Sequence, residues 1–223
     1  MNLEKYQQYS RIARGLEKAD LVLKDARIVN VFTEEIIRGD IAIQDGIIAG
    51  IGSFHGKEER DLAGRYVCPG FIDSHLHLES TLVTPAELVT VASRHGTTTF
   101  IVDPHESANV SGLAGIDYIL DQTEDVKANV YVMMPSCVPA TAIDDNGCTL
   151  TAEDMVPYLH NSRILGLGEV MDSISVVQGE KSMHDKLELF EGRIRDGHAP
   201  FLEEGDLQAY AMAGIATDHE CSF

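Results

Sequence analysis

Five side chains define the chemistry open to this sequence: His75, His77, Glu169, His198 and His219. The segment Val67-Cys68-Pro69-Gly70-Phe71-Ile72-Asp73-Ser74-His75-Leu76-His77 is an apolar run entered through Pro-Gly that ends in two histidines one residue apart. Alternate residues of a strand point the same way, so a strand here presents both imidazoles to one ion at its C-terminal end. A lone H-x-H is weak evidence, because isolated histidines are more often surface or core residues. Three further residues strengthen it, each just beyond the end of an expected strand. They are Glu169 in Gly166-Leu167-Gly168-Glu169-Val170, His198 in Asp196-Gly197-His198-Ala199-Pro200, and His219 in Thr217-Asp218-His219-Glu220. Imidazoles with one carboxylate on a common rim suit one or two divalent transition ions such as zinc, iron or manganese.

Asp103-Pro104-His105-Glu106 follows the second expected strand and so reaches the same rim. His105 and Glu106, with Glu220 further on, are candidates to contact substrate, shuttle protons or hold an additional ion. The plainer reading of that segment is a loop held by Pro104. His55 lies in a polar turn, and His95, His160 and His184 lie on or near helices, where ligation is not expected. Met133-Met134 continues an apolar strand and reads as core. A zinc site of the cytidine-deaminase type is set aside: His77-Leu78-Glu79 matches its H-x-E, but no P-C-x-x-C follows.

The elements that must position these residues fall into two stretches. Leu3 to Ala19 has helical composition, and Leu21–Leu23, Ala26–Val31, Ile36–Ile43 and Ile47–Ile51 read as strands, with Asp45-Gly46 as a hairpin signal. Residues 1–67 are thus expected to be a helix plus a small β-sandwich module, with too few strands to close a sandwich alone. Residues 68–223 alternate strand and helix, as a parallel sheet with crossover helices does. Expected strands are Gly70–Ser74, Thr97–Val102, Asn129–Met134, Arg163–Leu167, Asp196–Ala199 and Gly214–Thr217. Expected helices are Thr84–His95, Leu113–Asp125, Thr151–His160, Ser182–Ile194 and Glu203–Ala213. Thr84-Pro85-Ala86-Glu87 reads as the best-specified helix start, with Thr151 and Asp154 as a weaker one. The fold class is α/β: an incomplete (β/α)8 TIM-type barrel of about six units preceded by the β module. Such a barrel takes eight units and about 250 residues. The chain stops at Phe223, directly after a strand and its histidine, and the expectation is a piece of a longer protein.

Composition narrows the function classes. With 44% hydrophobic and 24% charged residues the chain is of ordinary globular type. Its 36 acidic against 17 basic residues give a formal charge of −19, which repels phosphate backbones and anionic membranes, so no nucleic-acid or membrane partner is expected. Cys68, Cys137, Cys148 and Cys221 form no C-x-x-C pair and read as reduced, structural thiols. With a polar N-terminus and no run near the roughly 18 apolar residues of a membrane span, the expected setting is the cytoplasm.

With those residues assembled, the chain resembles the metal-dependent amidohydrolase superfamily, and within it the bacterial and archaeal adenine deaminases. The resemblance is carried by His75-Leu76-His77-Leu78-Glu79-Ser80-Thr81, Pro85-Ala86-Glu87-Leu88, His95-Gly96-Thr97-Thr98-Thr99 and Asp103-Pro104-His105-Glu106. Gly168-Glu169-Val170-Met171-Asp172, Asp196-Gly197-His198-Ala199-Pro200 and Asp218-His219-Glu220-Cys221 extend it in the same order. It implies a (β/α)8 barrel, a sandwich built from both chain ends, and a divalent centre of one or two ions (manganese, iron or zinc) held by His75, His77, Glu169, His198 and His219. The implied reaction is hydrolytic deamination of adenine in purine salvage, with a small-molecule substrate and a homo-oligomer when full length. The family's eighth-strand aspartate, which the resemblance assigns to metal binding and proton handling, would lie beyond Phe223. Two rival readings stand beside it: amide or cyclic-amide hydrolysis on the same centre, and an inactive remnant or metal- or purine-binding module.

Overall fold

A computed structural model describes residues 1–141 and 143–220, so Cys221, Ser222 and Phe223 lie outside the described residues. The chain divides into two compact units, Met1–Pro69 and Gly70–Phe223.

The first unit opens with α1 (Leu3–Ala13), started by Asn2, whose side chain accepts from the Lys5 N–H. Its helix is shorter than the Leu3 to Ala19 expected from composition. β1 (Ala19–Asn30), β2 (Glu35–Gln44) and β3 (Ile47–Gly52) form an antiparallel meander, and β4 (Gly56–Asp61) and β5 (Tyr66–Val67) pair parallel with β1. The two short runs expected at Leu21–Leu23 and Ala26–Val31 are one strand broken by a bulge, where Asp25 takes φ +52°. Asp45 (φ +51°) and Gly46 (φ +75°) make the expected turn between β2 and β3. Ile12, Ala19, Val22, Ala42 and Phe54 form one small core of this unit, and Ala26, Ile28 and Ile41 another.

In the second unit six parallel strands lie side by side in chain order: β6 (Phe71–Leu76), β7 (Thr97–Val102), β8 (Asn129–Pro135), β9 (Ile164–Val170), β10 (Ile194–Gly197) and β11 (Thr217–Asp218). Crossovers run through α2 (Pro85–Ser93), α3 (His105–Ser111), α4 (Leu113–Gln122), α5 (Ala152–Met155), α6 (Ser173–Gln178), α7 (Lys181–Leu189) and α8 (Glu204–Met212). Single-turn helices at Glu79–Thr81 and Val156–His160 complete the connections. This is the curled sheet of an incomplete TIM-type barrel. A strand buried on both faces reads as a near-continuous apolar run, and Val130, Val132, Met133, Met134, Ile164 and Leu167 are buried in that way. All of these but Met133 join Phe100, Ile116, Ile119 and Phe190 in one core. Among the described residues no helix is long and apolar enough to cross a membrane.

Candidate metal centre

Every strand of the parallel sheet except β8 delivers a histidine or a carboxylate to its C-terminal edge. His75 sits near the end of β6 and His77 just past it; Asp103 follows β7, Glu169 is the penultimate residue of β9, Asp196 lies in β10 with His198 just past it, and His219 follows β11. Because the strands are parallel, these ends share one rim.

Glu169 is the hub. Its Oε1 lies 3.1 Å from His219 Nε2, 3.5 Å from His75 Nε2, 3.6 Å from His77 Nε2 and 3.6 Å from His198 Nδ1. Its Oε2 lies 3.1 Å from His105 Nδ1. The ring nitrogens also crowd each other, with His75 Nε2 to His77 Nε2 at 3.1 Å and His198 Nδ1 to His219 Nε2 at 3.2 Å. The structure therefore gathers all five residues expected as ligands around one oxygen.

Hydrogen bonds on the far side of the rings decide which nitrogen is free. His77 Nδ1 lies 2.7 Å from the Asp103 carbonyl, which only accepts, so Nδ1 carries a proton and Nε2 is turned toward Glu169. His219 Nδ1 lies 3.0 Å from Asp196 Oδ2, aiming its Nε2 inward in the same way. The Cys137 backbone nitrogen lies 3.4 Å from His105 Nε2, and the Nδ1 of the same ring faces Asp103 and Glu169.

His105 and Glu106, expected as loop residues, are the first residues of α3. His105 is buried and pairs with Asp103 and Glu169. Glu106 reaches the ring of His77, with Oε2 3.2 Å from Nδ1, and accepts the Ser80 hydroxyl at 3.1 Å. Glu220 is exposed, its N–H donating to Asp218, and among the described residues it joins none of the clusters able to hold an ion. The same holds for His55, His95, His160 and His184.

Three carboxylates of the site were not singled out from the sequence. Asp103 is 1% exposed, and neither of its oxygens has a hydrogen-bond donor among the described residues; its one charged neighbour is His105. Gly168 makes room for it, since a Cβ there would lie 1.9 Å from Asp103 Oδ2 and 2.7 Å from Met133 Cβ. Asp196 orients His219, and Glu79 accepts from the Ser107 N–H beside Glu106. A signal existed: Asp103 and Asp196 stand two residues before His105 and His198, the spacing that marked His75 and His77.

The electrostatics are those of a site that draws positive charge. Burial opposes ionisation of Glu169, yet the imidazoles of His105, His75 and His77 outweigh it and hold the carboxyl well below the usual range. Glu106 and Glu169 push His77 up to about 11. His105 is raised to about 10: burial works against its charge, and Asp103 and Glu169 overcome it. Burial raises Glu79 to about 7, and the His77 imidazole holds Glu106 at about 2. Imidazole nitrogens aimed at one carboxylate oxygen, next to an orphaned buried carboxylate, fit a divalent ion. Overlapping groups of three (His75, His77, Glu169; Glu169, His198, His219; Asp103, His105, Glu169) offer ligand atoms within 4.8 Å of one another.

Comparison with known proteins agrees with this geometry. Residues 66–223 match the Amidohydrolase family. A protein named adenine deaminase from Desulfitobacterium hafniense is 58% identical over 221 residues, which is 99% of this chain and 39% of that protein. Another of that name from Clostridium acetobutylicum is 50% identical over 212 residues, 94% of this chain and 37% of its own length. The chain thus spans about two fifths of these curated relatives. Among solved structures, the N-acyl-D-glutamate deacylase of Bordetella bronchiseptica, complexed with zinc and a phosphonate inhibitor, superposes with a TM-score of 0.54 at 17% identity. That match covers 90% of this chain and 51% of the deacylase, and at this identity it speaks for the fold alone.

Proposed function

The chain belongs to the amidohydrolase family, and on that premise we propose that it carries most of the metal centre of a hydrolytic adenine deaminase. The observation that carries the proposal is Glu169 Oε1 held within 3.6 Å of four imidazole nitrogens on the barrel rim. We assign His75, His77, Glu169, His198 and His219 as ligands of a divalent ion or pair of ions, with manganese, iron and zinc as the candidates. Unpaired Cys68, Cys137 and Cys148 fit a reducing, cytoplasmic setting.

When bound, the ion supplies a Lewis acid that activates water at neutral pH. The protein's own groups do the rest. Asp103 and Asp196 fix the directions of His77 and His219, so each Nε2 already faces the place an ion would take. His105 Nδ1 holds a proton between Asp103 and Glu169, a buried position from which it can pass to a ring nitrogen or a departing amine. In the net reaction C6 of adenine gains the water oxygen and loses its amino group, giving hypoxanthine and ammonia.

The test is ammonia release from adenine by the full-length protein, loaded separately with manganese, iron and zinc, beside N-acyl amino acids and cyclic amides as competing substrates. Turnover of adenine above the others is expected. Metal-loaded protein that leaves adenine untouched while cleaving an amide overturns the substrate assignment.

A further inference from the structure

Glu169 takes φ +34°, a backbone conformation that L residues with side chains rarely adopt. The cause is visible in the register. Arg195 of β10 pairs with Leu167 and Gly197 with Val170, so β9 carries one extra residue at Gly168-Glu169. Such a bulge re-aims a side chain, and here it turns the Glu169 carboxylate to the centre of the rim. It also releases the strand from its ladder, leaving the carbonyls of Glu169 and Val170 to find other donors.

Two buried hydroxyls supply them. Ser136, the residue after β8, donates from Oγ to the Glu169 carbonyl at 2.8 Å, which also accepts the Met171 N–H at 2.6 Å. Ser136 is 0% exposed, and Lys186 of α7 anchors it by donating from Nζ to its carbonyl at 2.6 Å. Tyr210 of α8, 2% exposed, donates to the Val170 carbonyl at 2.6 Å and accepts the His198 N–H at 3.1 Å. One phenol thus ties the end of β9 to the start of the segment carrying His198. Gly197 admits it, since a Cβ there would lie 2.9 Å from the Tyr210 hydroxyl.

We infer that the Ser136 and Tyr210 hydroxyls form a clamp that holds the bulge at Glu169 and sets the spacing between Glu169 and His198. Both are positioning residues: neither side chain reaches the ligand atoms, and each acts through a backbone group of a residue that bears or adjoins one. The inference rests on the metal centre proposed above.

The experiment is cobalt titration of the full-length protein and of its Tyr210→Phe, Ser136→Ala and Thr123→Val variants, reading affinity by competition with a chelator and coordination by visible absorption. Thr123 is the control, a buried hydroxyl whose donation to the Ile119 carbonyl is far from the rim in sequence and outside every candidate ligand group. Loss of an outer partner lowers metal affinity by roughly 10- to 100-fold. About 10-fold is expected for Tyr210→Phe and for Ser136→Ala, with a changed cobalt spectrum, against no change for Thr123→Val. Unaltered affinity and spectrum in both rim variants overturn the clamp while leaving the metal centre standing. An equal loss in Thr123→Val also overturns it, because the effect is then one of general stability. Failure of the unsubstituted full-length protein to bind cobalt overturns the metal centre itself. Should Tyr210→Phe not fold, Ser136→Ala and its reversal by Ser136→Thr, which restores a hydroxyl, carry the same test.

Discussion

Asp40 and Glu169 are both buried carboxylates next to cationic groups, one in each unit of the chain, and their surroundings differ in kind. Asp40 is closed. It accepts from Lys24 Nζ at 2.5 Å, from the Phe54 N–H at 3.1 Å and from the Asp25 N–H at 3.1 Å, and Lys24 spends a second donor on the Phe54 carbonyl at 2.9 Å. Glu169 is crowded by imidazoles whose nitrogens also face each other, and its neighbour Asp103 has no hydrogen-bond donor for either oxygen among the described residues. A carboxylate that serves the fold is satisfied by the fold, because an unmet buried charge is costly. One that is left unmet marks where the protein holds groups ready for something it binds.

The largest effect that separates the two regions is loss of metal. His75→Ala with His77→Ala is expected to lower the affinity of this chain for manganese or zinc by more than about 100-fold, beyond the loss typical of outer partners, while amide protection of β1 and β2 is unchanged. Retained metal at a stoichiometry equal to the parent, measured by elemental analysis after dialysis, would place the ion elsewhere.

Asp40→Ala is the counterpart. It strands Lys24 and two backbone donors, a loss of about 3 kcal/mol for a buried, hydrogen-bonded pair. In hydrogen exchange that is a drop of about 100-fold in the protection of β1 and β2 amides, with metal affinity untouched. Unchanged protection would mean that Asp40 is no more important to its unit than a surface carboxylate.

Asp103→Asn sharpens the contrast from the other side. Because the His105 Nδ1 that pairs with Asp103 also faces Glu169, which remains, the metal-free chain should lose less than about 1 kcal/mol. Metal affinity should nonetheless fall roughly 10-fold. A stability loss matching that of Asp40→Ala would make Asp103 a structural residue and erase the distinction.

The two regions also differ in how far they could be read in advance. The ligand residues were legible because strand ends in a parallel sheet share a rim, so five positions scattered over the sequence needed no tertiary information to be grouped. β7 was read at its observed ends from Thr97 to Val102, a run of β-branched and aromatic residues bounded by Gly96 and Asp103. β4 was not, since Gly56-Lys57-Glu58-Glu59-Arg60-Asp61 has no apolar alternation and owes its conformation to pairing with β1. For Asp103 to Glu106 a loop held by Pro104 stood as one of two readings, whereas proline there sits at the helix N-cap and His105 opens α3. Capping was misjudged in strength: Thr84 makes no side-chain cap, while Thr151 and Asp154 form the complete reciprocal box. Glu169's positive φ, and the two hydroxyls that answer it, depend on the register of β9 against β10 and have no signature in local residue types.

The smallest effect is the response of the closed pair to pH. Burial raises the cost of charging Asp40, but Lys24 and the two N–H groups outweigh it and lower its pKa below 3.8; the same contact raises that of Lys24 above 10.5. A carboxyl with a lowered folded pKa contributes stability that is present above its unfolded value and lost as pH falls through the folded one. The ammonium, raised, contributes below 10.5 and loses its share as pH climbs through the higher folded value. The pair's contribution is therefore flat across the neutral range and declines only at its two ends. Asp40→Asn keeps the shape of the side chain and removes the titration, so the gap in β1 and β2 stability between it and the parent should be constant from about pH 5 to 8 and narrow as pH drops below 3.8. A gap that stays the same down to pH 2.5 or so, well below the ordinary carboxylate value, would show that folding leaves the Asp40 pKa unshifted and that its charge adds nothing to the stability of the unit. The ion pair with Lys24 would then contribute no net stability, and the contrast with Glu169 would rest on the backbone donors of Asp25 and Phe54 alone.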